Sequence, residues 1–130
     1  MHSPALNNTA SLAGRIMLAA IFLITGWGKI GGYDGTVAYM AKFGVPGALL
    51  PLVIAVEIVG GLLIIIGWQT RLVAVGLAIF TLVAAYFFHA NFGDSGQRIH
   101  FLKNVAMAGG FLVLAAGGPG AWSVDGRRQT

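Results

Sequence analysis

Between Leu49 and Arg71 the sequence reads LLPLVIAVEIVGGLLIIIGWQTR, an apolar run that carries a single acidic residue, Glu57, part-way along. About 20 predominantly apolar residues are enough to carry a helix across a bilayer. An ionisable group at that depth is costly, so Glu57 requires a polar partner or a wet cavity supplied by the rest of the chain. Together these facts point to an all-α integral membrane protein, because a helix satisfies its own backbone polar groups in lipid.

The remaining sequence fits that class. Of its 130 residues, 57% are hydrophobic and only 9% are charged, against about 25% charged in soluble domains. This length holds roughly four spans with short connections and no separate soluble domain. The spans are expected at about 11–30, 49–68, 72–89 and 100–117, forming one membrane domain over 11–122 between a flexible N-terminus (1–10) and a flexible C-terminal tail (123–130). The opening segment lacks the basic region of a cleaved signal, so the first apolar run is retained as a structural helix. Thr36 to Phe43 suggests a short interfacial helix. Pro51 falls in the first turn of span two, where a missing N–H does no harm. The tight turn Gln69–Arg71 makes spans two and three antiparallel neighbours, as in an up-and-down four-helix bundle.

Several function classes drop out. The net charge of +4 comes from single Lys and Arg residues scattered along the chain, without the basic patch that nucleic-acid binding needs. Zero cysteines exclude disulfides, thiolate metal sites, Fe–S ligation and covalent haem attachment. No metal site or intrinsic cofactor is expected, and a redox role would use a borrowed one. GWGKIGG lacks the spacing and the preceding strand of a phosphate loop. Gly26, Gly60, Gly61, Gly109 and Gly110 are read as helix-packing positions, since small residues let membrane helices approach closely. Those same glycine faces could support a homo-oligomer.

Antiparallel threading brings the end of span one, the start of two, the end of three and the start of four to one membrane face. Lys29, Glu57, His89, Lys103 and Asn104 occupy those positions and form the candidate polar site. Glu57 lies roughly 12 Å into its helix at 1.5 Å per residue, within reach of a lysine extending along a neighbour. Opposite charge would keep it ionised. The competing reading is structural: Glu57 pairs with Lys29 or Lys103 only to fix helix packing, His89 makes a local hydrogen bond, and Asn104 bridges two helices. His100 reads as a solvated loop residue, and haem ligation by His89 and His100 is poorly supported. At the opposite face Arg15 and Arg71, with Arg127 and Arg128, form a secondary basic face read as headgroup contacts, although Arg15 lies deeper than the others. Counting basic residues outside the buried site favours cytoplasmic termini.

The chain also resembles the DoxX family of small bacterial membrane proteins, related to the DoxD subunit of thiosulfate:quinone oxidoreductase. The resemblance rests on Arg15, GWGK ending at Lys29, EIVGG from Glu57, GWQTR from Gly67 to Arg71, His89, and KNVAMAGG from Lys103 to Gly110. It implies a four-helix membrane bundle in the bacterial inner membrane. It also implies redox-linked activity with quinone as the borrowed cofactor and a soluble or membrane redox protein as partner. The opposing expectation is a non-enzymatic scaffold that binds a partner. A small transporter is less supported, because no broken helix lies at mid-membrane.

Overall fold

A computed structural model describes residues 3–91 and 93–128. Among the described residues six α-helices follow in order: α1 Pro4–Gly31, α2 Tyr33–Lys42, α3 Leu50–Ile66, α4 Thr70–Phe88, α5 Ser95–Gly117 and α6 Val124–Arg128. With the 3-10 turn Gly47–Leu49 leading into α3, four segments are long and apolar enough to cross a membrane: Pro4–Gly31, Gly47–Ile66, Thr70–Phe88 and Ser95–Gly117.

Local chemistry explains where these helices begin and end, including where they depart from the sequence reading. The first helix starts at Pro4 rather than near Ser11, because the Ser3 side chain accepts from Leu6 N–H and Pro4 opens the helix, a position where its missing donor costs nothing. The fourth spanning helix starts at Ser95, ahead of the expected His100, because Asp94 caps it by accepting from Gln97 N–H at 3.1 Å. At the end of α3, Gly67 adopts φ 73°, and the N–H groups of Gly67 and Trp68 both donate to Leu63 C=O. Glycine takes this left-handed conformation without the Cβ penalty.

Two helix pairs make up the bundle: α1 packs chiefly on α3, and α4 on α5. The pairs meet through an aromatic and small-residue core in which the Phe22 ring contacts those of Phe80 and Phe111 at centroid distances of 6.3 and 5.5 Å. Glycine sets the closeness of the first pair. A Cβ on Gly26 would lie 2.9 Å from Ile58 Cδ1 and 3.2 Å from Glu57 Cβ. Gly60, Gly61 and Gly110 are similarly close to Leu77, Leu23 and Leu18. Gly109 is different: nothing lies within 4 Å of an added Cβ, so it takes no part in this packing.

At the terminal face the arginines meet backbone carbonyls, buried in the case of Arg15, where headgroup contacts were expected. Arg15 is only 1% exposed. Its guanidinium donates to Ile64 C=O at 3.1 Å, Ile65 C=O at 2.7 Å and Trp122 C=O at 2.5 Å. Arg71, which is exposed, donates to Ala115 C=O and Ala116 C=O at 3.3 and 3.0 Å. Each arginine thus meets carbonyls at the C-terminal end of a helix, where acceptors lack intrahelical donors and the helix dipole is negative. The segment expected as a free tail is tied in as well. Asp125 accepts from the N–H groups of Gln69 and Thr70 at 2.9 and 2.7 Å, capping α4 from a distant part of the chain. The Asp125 N–H in turn donates to Gly67 C=O at 2.9 Å.

Candidate functional site

At the opposite face lies a cavity of about 470 Å³ lined by residues of both helix pairs. Lys29, Glu57, His89, Lys103 and Asn104 all line it. The α1–α3 wall carries a charged cluster, with Glu57 about two turns inside α3 and Lys29 in the last turn of α1. Lys29 Nζ pairs with Glu57 Oε1, while Thr25 Oγ1 donates to Glu57 Oε2 at 2.7 Å. Thr25 and Lys29 are four residues apart and therefore share a face of α1. Gly26, lying between them in sequence, allows α1 to come close enough to α3 for both to reach the carboxylate. The Glu57 side chain is 5% exposed and that of Lys29 is 29% exposed. The acid is therefore buried, while its cation reaches toward the mouth.

The α4–α5 wall is polar but carries no carboxylate. Asn104 Nδ2 donates to Thr81 C=O at 3.2 Å across the pair. A carbonyl can only accept, which fixes the amide nitrogen of Asn104 as the atom facing it. Beside Asn104 in the lining, the Thr81 hydroxyl is buried without a hydrogen-bond partner among the described residues. Nearer the mouth, His89 Nδ1 lies 2.6 Å from Gln97 Oε1, and its ring stacks on His100 at 5.1 Å between centroids. His100 belongs to the first turns of α5 rather than to a loop. Lys103 Nζ lies 3.3 Å from His100 Nδ1, while Lys29 makes the pair with Glu57.

The amphipathic α2 covers one side of the cavity. Thr36, Tyr39 and Met40 line it, and Tyr39 and Phe43 pack against Phe88 at the end of α4 at 5.7 and 5.3 Å between ring centroids. The interior surface is otherwise apolar, with Phe22, Val53, Phe80 and Met107 among its residues. Such a space can accept an apolar ring or chain, while its polar groups fix orientation.

Sequence reasoning missed Thr25 and Thr81. Each left a signal: Thr25 sits at i−4 from Lys29, and Thr81 is a lone hydroxyl in the middle of the apolar run LVAVGLAIFTLVAA.

Comparison with known proteins agrees with this architecture. The DoxX family model matches residues 10–90. Inner membrane protein YqjF of Escherichia coli (strain K12) is 48% identical over 120 residues, covering 92% of this chain and 92% of that protein. Inner membrane protein YphA of the same strain is 43% identical over 123 residues, covering 89% and 88%. A third relative, named "Putative oxidoreductase CatD" in Bacillus subtilis (strain 168), is 34% identical over 71 residues, covering 55% and 52%. No solved structure matches the chain.

Proposed function

The chain belongs to the DoxX family of integral membrane proteins, and on that premise we propose that it is the membrane subunit of a quinone-linked redox system whose ring-binding site is the cavity between the two helix pairs. One observation carries the reading: the five polar residues placed at one face by topology all line a single, mainly apolar space of about 470 Å³, a size within the roughly 300–1,000 Å³ usual for ligand pockets. The oxidoreductase name of the Bacillus relative lends support.

The residues present suit a quinone. The apolar walls take its ring, and Lys29 presents a cation near the mouth. Lys103 and His89 extend that polar rim. Asn104 offers an amide on the facing wall. A bound quinone would supply the electron-accepting chemistry, with electrons delivered by a redox partner protein. This chain's part is to orient the ring, exclude water from it, and provide a proton route through Lys29 Nζ, the Glu57 carboxylate as acceptor, and the His89 ring. The inner membrane of its two Escherichia coli relatives is the compartment assigned to it, with both termini on the cytoplasmic side.

Titration of the purified protein with a short-tailed benzoquinone tests the site. Lys29→Met and Glu57→Gln should each weaken binding by about tenfold, the value of one charge-assisted hydrogen bond. Binding equal to that of the unsubstituted protein in both variants sinks the assignment.

A second reading, a scaffold in which the charges only fix helix packing, is favoured by one feature. Glu57 is already engaged by both Lys29 and Thr25. On that reading the same substitutions lower stability, no quinone co-purifies, and protein partners do.

A further inference from the structure

We propose that Thr81, set beside Asn104 on the α4–α5 wall, is a second point of ligand contact, and that the cavity selects planar rings bearing oxygen on two opposite edges over rings bearing one. This rests on the reading of the cavity as a quinone site and adds a specificity-determining residue to it.

The observation behind it is the Thr81 hydroxyl. It belongs to a residue that is only 2% exposed and lines the cavity, and it has no hydrogen-bond partner among the described residues. A buried hydroxyl is costly to leave unpaired, so each such group calls for a physical reason. The usual escape for a helical threonine is to donate to the carbonyl four residues back. Thr9 and Thr36 do so, to Ala5 and Gly32, at 2.7 and 2.9 Å, and Thr25 gives its proton to the Glu57 carboxylate instead. Thr81 does not. Thr70 also has a buried unpaired hydroxyl, but it lies at the terminal face, outside the cavity lining.

Thr81 also sits opposite the charged cluster. Lys29, Thr25 and Glu57 project from α1 and α3, whereas Thr81 and Asn104 belong to α4 and α5. Thr25, Glu57, Thr81 and Asn104 each lie about two turns from the helix end at this face, with Lys29 nearer the end of α1. The Asn104 bond to Thr81 C=O joins the two helices at this point and steadies the wall that carries the hydroxyl. A ring between the walls with one oxygen toward Lys29 brings its far edge toward Thr81. A carbonyl there accepts from the Thr81 hydroxyl; a hydroxyl there donates to it. A ring with a single oxygen satisfies one wall only.

The test uses the full chain in detergent and two probes with the same decyl tail, a 1,4-benzoquinone and the corresponding ring with one carbonyl, with affinities measured by equilibrium dialysis. The unsubstituted protein should prefer the dicarbonyl probe by about fivefold, the value of one neutral hydrogen bond. Thr81→Val should abolish that preference, and Thr81→Ser should keep it. Because Thr81→Val removes a hydroxyl with no partner, it should melt no lower than the unsubstituted protein. A valine variant that keeps the preference overturns the inference, as does one that loses stability, since its hydroxyl is then satisfied within the chain. If Lys29→Met weakens the dicarbonyl probe while Thr81→Val does not, the second contact alone falls. If neither probe binds the unsubstituted protein, the quinone reading falls and this inference with it.

Discussion

Removing Lys29 should destabilise the protein more than removing the charge it neutralises. The Glu57 side chain is 5% exposed and that of Lys29 is 29% exposed, so Lys29→Met leaves a buried carboxylate with only the Thr25 hydroxyl as a partner. Breaking a fully buried pair in this way costs about 3–5 kcal/mol. Water at the lysine end screens the interaction, and about 2–3 kcal/mol is the expected loss. Glu57→Gln behaves differently. The glutamine carbonyl still accepts from Thr25, and the freed ammonium can turn toward the mouth, for a loss of about 1 kcal/mol. The double variant leaves no unpaired charge, so its cost should fall short of the sum by about 1–2 kcal/mol. Equilibrium unfolding in mixed micelles of rising SDS fraction, followed by tryptophan fluorescence, measures all three. If Lys29→Met costs no more than Glu57→Gln, or if the two add, the pair is not the buried unit described.

The terminal face yields three further predictions in the same assay. Arg15→Met strands three carbonyl acceptors in a buried setting and should cost about 3–5 kcal/mol, whereas the exposed Arg71→Gln should cost under about 1 kcal/mol. Gly67→Ala places a Cβ 2.3 Å from Ser123 Cβ on a residue at φ 73° and should cost more than about 2 kcal/mol, while Gly109→Ala, with open space around it, should be neutral or stabilising by up to about 1 kcal/mol. Asp125→Ala removes the carboxylate that caps Gln69 and Thr70 N–H and should lose about 1–2 kcal/mol. Equal costs for Arg15 and Arg71, a harmless Gly67→Ala, or an unaffected Asp125→Ala would each count against the clamp described.

The membrane fold was legible in the sequence because hydropathy and length alone set it: in lipid only a helix of sufficient length satisfies its backbone. The placing of Lys29, Glu57, His89, Lys103 and Asn104 at one face followed from antiparallel threading, which short turns dictate. Contacts within that set were not legible. Whether Glu57 meets Lys29 or Lys103 depends on the rotation of α1 and α5 about their axes. That rotation is set by packing such as the approach of Gly26 to Ile58, which a span-level reading does not resolve. Arg15 was legible as lying deeper than the other arginines, but its partners were not, for a related reason. An arginine near a helix end can snorkel, and only the position of the α3 C-terminus beside it makes the carbonyls of Ile64 and Ile65 the better partners. The ties made by Asp125 were not legible because it acts on α4, whose N-terminal donors are distant in sequence; residues 129 and 130 of the expected tail lie outside the described residues.

These placements give the two faces of the bundle different mechanical roles. At the terminal face, polar bonds cross between the helix pairs or tie them through the C-terminal segment. Arg15 of α1 reaches Trp122, Ser11 of α1 donates to Pro119 C=O at 2.7 Å, and Asp125 of α6 holds the start of α4. At the cavity face, the bonds that build the walls join members of one pair. Thr25 and Lys29 bind Glu57 within α1–α3, and Asn104 binds Thr81 within α4–α5. The pairs are therefore fastened at one end and internally braced at the other. Bracing keeps each wall's polar groups in position, while beside the mouth α2 packs on the end of α4 through aromatic contacts, Tyr39 and Phe43 on Phe88. Dispersion contacts of this kind lack the directional demand of a buried charge. On the proposed quinone reading, a flat, apolar ligand would part them without breaking an ion pair, leaving undisturbed the clamp that holds the bundle together.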